Sequence, residues 1–222
     1  MSRFLSACVA ALALFLFSPA HAQWYGSVHL GGVALEDADV TDSVPGASAT
    51  GEAEFDNGWV IGGALGYTFQ NSVRAELEVS YRRNEIDSVT IDTFSAGPAV
   101  FTGLGTFDVD GDVDSLGLMA NVWYDFSAPG NWKPYIGGGI GIVRVGVDID
   151  AVAGVATSYS DDDWVFGYQL GAGVGFSLNP TTVLSLDYRF FATADPEFKD
   201  SGETLKAEYR SHNIMVGLRF SF

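Results

Sequence analysis

The sequence predicts an all-β fold, namely an eight-stranded antiparallel up-and-down transmembrane β-barrel. The first observation is that apolar and polar residues alternate strictly in several segments, which is the period of a β-strand. The second is that short turns and long connections follow one another along the chain. The third is that acidic residues avoid the apolar rows of these segments. Together these patterns indicate a closed sheet with an apolar outer face.

Residues 1–22 predict a cleaved secretory signal peptide, and the barrel domain is expected at 23–222. An early arginine supplies positive charge, residues 4–17 are apolar, and residues 20–22 have the small-x-small pattern of a cleavage site. The single cysteine, Cys8, comes before most of the apolar core, which argues against a lipoprotein anchor. The mature chain therefore has no disulfide.

Eight segments show the alternation that predicts a strand, and a tilted strand of about 9–11 residues crosses a bilayer. In chain order, the predicted strands lie at 24–35, 59–69, 73–83, 116–126, 132–149, 164–177, 184–190 and 212–222. The third strand is typical, because Leu77 and Val79 alternate with charged residues. One parity of each strand is predicted to face lipid and the other the lumen.

The strand at 132–149 carries a change of pattern. Its isoleucines share one parity up to Ile142, whereas the apolar residues from Val143 to Ile149 lie on the opposite parity. Such a switch indicates either a β-bulge or a strand that has already left the membrane. The sequence leaves both interpretations open.

The connections between the predicted strands are alternately short and long. Short turns lie at 70–72, 127–131 and 179–181, and long outer loops are expected at about 36–57, 85–113, 150–163 and 192–207. Both chain ends then lie on the short-turn side, as in up-and-down membrane barrels. All but four of the 28 acidic residues fall in or beside the long connections, and those four fall on the polar parity of a strand.

Composition excludes several other classes of protein. A formal net charge of −17 argues against nucleic-acid binding. Beyond the signal, no apolar stretch is long enough for a transmembrane helix. Nevertheless, hydrophobic residues make up 47% of the chain, which is high for an exported protein without disulfides. A closed transmembrane sheet explains the apolar composition, because its outer face meets lipid. The sheet must be closed because each backbone N–H or C=O group left unpaired at an open edge in hydrocarbon costs several kcal/mol.

Charged residues also lie on the predicted lumen parity. They are Arg74, Glu76, Glu78, Arg82, Asp187, Arg189 and Arg219. An eight-stranded barrel is just wide enough for side chains to fill, so we expect these charges to pair across the lumen. They form either a salt-bridged plug or the lining of a selective pore. Barrel size favours the plug, whereas the many lumen glycines leave room for water and favour the pore.

The segment "DVDGDVD" at 108–114 is a candidate metal site. Its carboxylates, at two-residue spacing, belong to Asp108, Asp110, Asp112 and Asp114. Calcium sites use carboxylates at this kind of spacing. The glycine position and the lack of a terminal glutamate differ from an EF-hand loop, so a solvated acidic rim is favoured. No cofactor is expected.

Basic residues near the outer strand ends and in the outer loops have two interpretations. They are Arg83, Arg144, Lys199, Lys206 and Arg210. At that depth they would meet lipopolysaccharide phosphates and could pair with them. Salt bridges to the acidic residues around them explain the same positions equally well.

Two motifs resemble small outer-membrane β-barrels of the opacity-protein and OmpA-like transmembrane type. They are "WKPYIGGGIG" at 132–141 and the closing "VGLRFSF" at 216–222. The resemblance implies a Gram-negative outer membrane location. It also implies that the outer-membrane assembly machinery recognises the C-terminal aromatic strand, so that Phe220 and Phe222 carry the assembly signal. No periplasmic peptidoglycan-binding domain is expected after Phe222.

Two functions from different classes remain open. The first is a structural or surface-interaction role, in which acidic extracellular loops serve adhesion or present ligands. The alternative is a narrow porin-like channel for small cationic or neutral solutes, because an acidic mouth concentrates cations. Outer-membrane lipid, the assembly machinery and extracellular or host ligands are the expected partners. No enzyme is expected, since the histidines of the mature chain, His29 and His212, are poorly placed to cooperate.

Overall fold

The computed structural model describes the chain in four ranges, which are 24–44, 46–69, 72–200 and 203–222. The predicted signal peptide and most of the predicted turn at 70–72 lie outside these ranges. The described strands are β1 (Trp24–Leu35), β2 (Ala38–Val44), β3 (Ala47–Phe55), β4 (Gly58–Thr68), β5 (Val73–Ala96), β6 (Ala99–Asp125), β7 (Trp132–Val152), β8 (Val155–Asn179), β9 (Thr182–Thr193), β10 (Glu197–Asp200), β11 (Glu203–Ala207) and β12 (Arg210–Ser221).

Eight of these strands form a closed antiparallel ring. The order around the ring is β1, β4, β5, β6, β7, β8, β9 and β12. The ring closes where β12 pairs with β1, from Tyr25 opposite Ser221 to Leu35 opposite Ser211. Closure satisfies the backbone groups that an open sheet would expose to hydrocarbon. The prediction of an eight-stranded up-and-down barrel is confirmed.

The outer face of the ring is an apolar band. Exposed side chains on this face include Val28, Leu30, Ile61, Leu65, Leu77, Val79, Leu118, Val122, Ile136, Ile140, Leu170, Leu186, Ile214 and Val216. The charged residues that alternate with them on β5, Glu76 and Glu78, are buried in the lumen. No helix in the part of the chain that the structure describes is long and apolar enough to cross a membrane.

Aromatic residues border the apolar band at both ends. At the terminal end, which holds Trp24 and Phe222, the rings of Trp24 and Tyr67 lie edge to face with centroids 5.3 Å apart. At the opposite, distal end, Trp59 and Tyr81 lie 5.5 Å apart. Aromatic girdles at both interfaces are typical of outer-membrane barrels.

Four barrel strands continue far beyond the apolar band at the distal end. β5 and β6 have 24 and 27 residues, and the hairpin turn between them contains Gly97 with φ of 56°. β7 and β8 form a second long hairpin with Gly154 at φ of 74°. Glycine adopts this left-handed conformation at little cost. The segments predicted as loops at 85–113 and 150–163 are therefore mostly β-strand.

The other two predicted loops, at 36–57 and 192–207, also contain strands. The β2–β3 hairpin pairs with the distal part of β5, and β11 pairs with both β2 and β10. Near β10, the backbone N–H of Glu197 donates to a carboxylate oxygen of Asp163 on β8 at 2.9 Å. The distal strands thus continue the wall of the barrel outside the apolar band.

The parity switch in β7 is not caused by a bulge. β7 pairs in unbroken register with β6 and with β8 from Ile136 to Val147. Val143 and Val145 point into the barrel and are 0% and 1% exposed. The bulge interpretation is therefore wrong at this point. The pattern changes because the inner face becomes apolar where the strand approaches the distal end.

Candidate functional site

The lumen contains a polar zone near the terminal end and an apolar zone near the distal end. The polar zone, the lumen network, consists of Tyr25, Arg74, Glu76, Glu78, Asn121, Trp123, Tyr135, Asp187 and Arg189. These residues come from β1, β5, β6, β7 and β9. The two-residue period of each strand turns their side chains inward, while the residues between them face lipid.

Glu76 lies at the centre of the terminal half of this network. Its carboxylate accepts hydrogen bonds from the Tyr25 hydroxyl at 2.6 Å and from the Trp123 indole N–H at 2.8 Å. The amide of Asn121 donates to the same carboxylate at 3.1 Å. Neutral donors therefore hold Glu76, and its nearest cation, Arg74, is 4.0 Å away.

Glu78 forms the shortest of the ion pairs among the described lumen residues. Its Oε2 lies 2.5 Å from Nη1 of Arg189, across the barrel on β9. The amide of Asn121 donates to the same oxygen at 2.9 Å, and His29 Nε2 lies 3.8 Å from Oε1. The Arg189 guanidinium also lies over the Trp123 ring, 4.9 Å from its centroid. A charge-assisted bond between buried partners is strong only with such supporting contacts.

Asp187 and Arg74 complete the lumen network. The Tyr135 hydroxyl donates a short hydrogen bond to Asp187, and the Ser185 hydroxyl donates to it at 3.1 Å. Arg74 Nε lies 2.8 Å from a carboxylate oxygen of Asp125 at the terminal mouth. Of the residues predicted to line the lumen, the structure thus brings Arg74, Glu76, Glu78, Asp187 and Arg189 into one cluster.

Arg82 and Arg219 differ from the prediction of charge pairing. Arg82 is fully buried, yet it donates to the neutral side chains of Asn213 at 3.1 Å and Ser80 at 3.0 Å. Its guanidinium lies 3.9 Å from the centroid of the Phe191 ring. Arg219 lies 5.5 Å from the centroid of Tyr25. Among the described residues, neither arginine forms an ion pair. Hydrogen bonds and the Phe191 face stabilise the charge of Arg82 instead, and the Tyr25 face stabilises that of Arg219.

Several lumen residues were missed because only charged groups were sought on the inner parity. Trp123 and Tyr135 donate to the network carboxylates, and Gln169 donates to Asn121 at 2.7 Å. The same parity that identified Glu76 also places these residues inside the barrel. Treating every large polar side chain on that parity as a lumen residue would have found them.

The apolar zone occupies the distal half of the barrel. This distal core consists of Leu35, Ile86, Val109, Val113, Met119, Val143, Val145, Val147, Phe191 and Tyr209. Its ring pair, Phe191 and Tyr209, is edge to face with centroids 6.0 Å apart. The contact between Arg82 and Phe191 joins the distal core to the polar zone. The two zones are therefore stacked along the barrel axis.

The lumen glycines accommodate neighbouring side chains, which corrects the expectation that they leave room for water. A Cβ atom at Gly173 would lie 2.6 Å from Cζ of Tyr135. One at Gly141 would lie 2.8 Å from the sulfur of Met119. Large side chains on one strand thus occupy the space above glycines on the next. The cavity within the lumen network has a volume of only about 30 Å³.

The acidic run on β6 lies on the outer surface beyond the apolar band. Asp112 and Asp114 meet Asp148 of β7, with one oxygen from each within 4.8 Å of the others. Asp108 and Asp110 lie further along β6, beyond a register shift that follows Asp110, and are not part of this group. Partial burial raises the pKa of Asp114 above its usual range, while Arg144 opposes that shift.

Arginines neutralise part of this acidic group, which favours a salt-bridged rim over a metal site. Arg83 lies 2.6 Å from Asp112, and Arg144 lies 3.4 Å from Asp114. Arg144 has a second carboxylate partner, and Lys206 and Arg210 are also paired. The pairs are Arg144 with Asp162 at 3.1 Å, Lys206 with Glu197 at 2.6 Å and Arg210 with Glu208 at 2.9 Å. The Lys199 side chain lies outside the described part of the chain.

The two histidines of the mature chain lie in different environments. His29 is buried in the lumen beside Glu78. His212 lies on the outer face, where its ring nitrogens contact the Tyr188 hydroxyl at 2.7 Å and Glu36 at 2.8 Å. One histidine faces the lumen and the other the outer surface, so they do not share a site.

Comparison with known proteins gives the same architecture. The family described as outer membrane protein beta-barrel domain matches residues 8–220. An uncharacterised protein of Brucella abortus (strain 2308) is 26% identical over 197 residues, which cover 72% of this chain and 67% of that protein. The outer membrane protein OprG of Pseudomonas aeruginosa has a TM-score of 0.55 and 14% identity, covering 91% of this chain and 98% of that structure. Neisserial surface protein A has a TM-score of 0.48 and 21% identity, covering 90% of this chain and 97% of that structure.

The likeness to OprG shows the shared fold, and the family match spans nearly the whole sequence. It confirms the resemblance found in the motifs at 132–141 and 216–222. In bacterial outer-membrane barrels the short turns face the periplasm, so we expect the terminal end to be periplasmic and the distal end extracellular. The chain therefore belongs to the outer membrane protein beta-barrel domain family and resides in the outer membrane of Gram-negative type.

Proposed function

We propose that the protein is a closed outer-membrane anchor that presents its distal β-hairpins to extracellular partners. The obstructed lumen is the observation that carries this proposal. The lumen network and the distal core lie one above the other, and the cavity within the network is about 30 Å³. Such a volume holds about one or two water molecules. A solute would have to separate Arg189 from Glu78 in order to pass.

The tip of the β5–β6 hairpin supports a role in surface interaction. This hairpin tip, residues 92–104, exposes Phe94, Val100, Phe101 and Leu104 outside the membrane band. The Phe94 and Phe101 rings stack with centroids 6.4 Å apart. Exposed apolar patches mark interaction sites, and acidic residues lie nearby on both strands of the hairpin. A partner with apolar and basic groups fits this surface.

The channel alternative is tested by conductance. We expect refolded mature protein in a planar lipid bilayer to give no steady conductance, because charged pairs and apolar packing close the lumen. Folding is verified first by the different gel migration of heated and unheated samples. Steady cation-selective steps that change in the Arg189→Ala variant would overturn the proposal and favour a porin-like channel.

The hairpin tip is expected to be dispensable for folding and required for interaction. Ile91 pairs directly with Gly105, so an Asn-Gly turn replacing 92–104 closes the hairpin in register. The shortened protein should reach the outer membrane at normal levels. Cells carrying it should lose adhesion to beads coated with an alkylamine, a probe that is both basic and apolar. Unchanged adhesion of the shortened form would contradict a role for the tip.

The C-terminal aromatic residues are proposed to carry the assembly signal. Phe222 is exposed on the lipid side, and its N–H donates to the carbonyl of Trp24 at 3.0 Å. Phe222→Ser should slow insertion into the outer membrane while leaving secretion intact, and Ser221→Ala serves as a control. The measurement is the amount of each variant in outer-membrane and periplasmic fractions. Normal outer-membrane levels of Phe222→Ser would count against this role.

The expected partners follow from the same surfaces. Outer-membrane lipid surrounds the apolar band, and extracellular or host ligands would meet the hairpin tip. Lipopolysaccharide is a less favoured partner for Arg83 and Arg144, because both already pair with carboxylates. No nucleic acid, cofactor or enzymatic activity is part of the proposal.

A further inference from the structure

We infer that the extracellular part of the barrel contains a binding site for a small apolar molecule. A cavity of about 90 Å³ lies within the distal strands, next to the distal core. β2, β3, β5, β6 and β7 contribute to its wall, together with the chain around Tyr209. Ala53, Phe55, Val89, Val145 and Ile149 are among the side chains that line it.

The chemistry of the wall selects an apolar ligand. Almost all of the lining surface belongs to valine, isoleucine, phenylalanine, alanine and proline side chains. Two polar residues, Glu208 and Tyr209, also line the cavity, and the polar groups of both are already engaged. The Tyr209 hydroxyl hydrogen-bonds to the Ser115 hydroxyl at 3.0 Å, and Glu208 pairs with Arg210 at 2.9 Å. A polar ligand would lose its hydration without gaining a partner, which is unfavourable.

The size of the cavity limits the ligand to a small molecule. An engineered apolar cavity of about 150 Å³ in another protein stays dry and binds benzene or xenon. The present cavity is smaller, so its ligand can be no larger than a single six-membered ring or a short alkyl chain. A complete lipid acyl chain would not fit without separating the strands.

The position of the cavity makes it a receptor site and not a step in transport. Towards the periplasm, it is followed by Met119, Val143 and Phe191 of the distal core and then by Arg82. A ligand that enters from outside therefore meets a closed floor. This inference is independent of the proposed role of the hairpin tip, which contributes no residue to the cavity wall.

Binding can be measured with fluorobenzene as the probe. The mature protein is placed in lipid nanodiscs, and the ¹⁹F NMR signal of fluorobenzene is titrated, with empty nanodiscs giving the lipid background. We expect saturable binding to the wild type. Ala53→Phe should abolish it, because Ala53 is buried in the wall and the added ring occupies the cavity.

Thr50→Phe is the matched control, since Thr50 lies on the same strand with an exposed side chain. This variant should bind as the wild type does. Ala207→Phe fills the cavity from a different strand and decides the question if Ala53→Phe fails to fold. Absence of saturable binding to the folded wild type overturns the inference. Full binding by a folded cavity-filling variant does the same, because the probe then binds elsewhere.

Discussion

Replacing Glu78 by glutamine should destabilise the barrel by about 3–5 kcal/mol, the usual cost of removing one partner from a buried ion pair. Glu78 and Arg189 are 1% and 6% exposed, and their charged atoms lie 2.5 Å apart. The amide keeps the shape of the side chain but not its charge. The next carboxylate, that of Asp187, is 3.9 Å from Arg189. The free energy of unfolding in urea, followed by tryptophan fluorescence in lipid vesicles, measures the effect.

Two comparisons separate the loss of charge from other effects. Glu52→Gln makes the same change at an exposed position on β3 and should shift stability by less than about 0.5 kcal/mol. The double variant Glu78→Gln with Arg189→Met removes both charges of the pair and should recover part of the loss. Asp187 then loses its cation at 3.9 Å but keeps its hydrogen bonds from Tyr135 and Ser185. If the double variant is less stable than Glu78→Gln alone, the ion-pair explanation is wrong.

The barrel could be predicted from the sequence because a strand in a membrane has only two sides. Leu77 and Val79 must face lipid once Glu76 and Glu78 face the lumen, and the structure shows this arrangement. The period of two therefore determines the face of each residue without knowledge of its neighbours. The same rule holds for β12, where Ile214 and Val216 face outward.

The distal strands were predicted as loops because the strict alternation was recognised only in the membrane strands, and the acidic residues between those strands agreed with loops. Beyond the membrane, water bathes the outer face of the sheet, so Asp108 and Asp110 are tolerated there. The inner face still repeats apolar residues, such as Ile86, Val109 and Val113, which pack in the distal core. The acidic residues on the outer face begin where the membrane ends, whereas the apolar residues on the inner face continue along the strand.

Contacts within the lumen could not be predicted, because they depend on the stagger between distant strands. Glu78 and Arg189 are 111 positions apart and meet across the barrel. Arg82 has the same parity as Glu78 but lies closer to the distal core, where Phe191 and Asn213 are its neighbours. The parity of a residue gives its side of the sheet, while its height relative to other strands follows only from the closed register.

Phe191→Ala should cost about 3–5 kcal/mol, as large-to-small substitutions in a packed core do. Phe191 is 0% exposed, and its ring packs against Tyr209 on one side and the Arg82 guanidinium on another. Alanine would leave a void between the distal core and the lumen network. It would also remove the aromatic face that stabilises a buried charge lacking an ion-pair partner among the described residues.

Phe190→Ala is the control for this substitution, because the adjacent side chain lies on the outer face against Tyr168 and His212. Lipid can fill the space left there, so the loss of unfolding free energy should be smaller. Because Phe191 also separates the two halves of the lumen, Phe191→Ala should give more frequent brief openings in a planar bilayer than the wild type. A loss of stability in Phe191→Ala no larger than that in Phe190→Ala would contradict the packing argument. A Phe191→Ala variant as silent in the bilayer as the wild type would contradict its role as a seal.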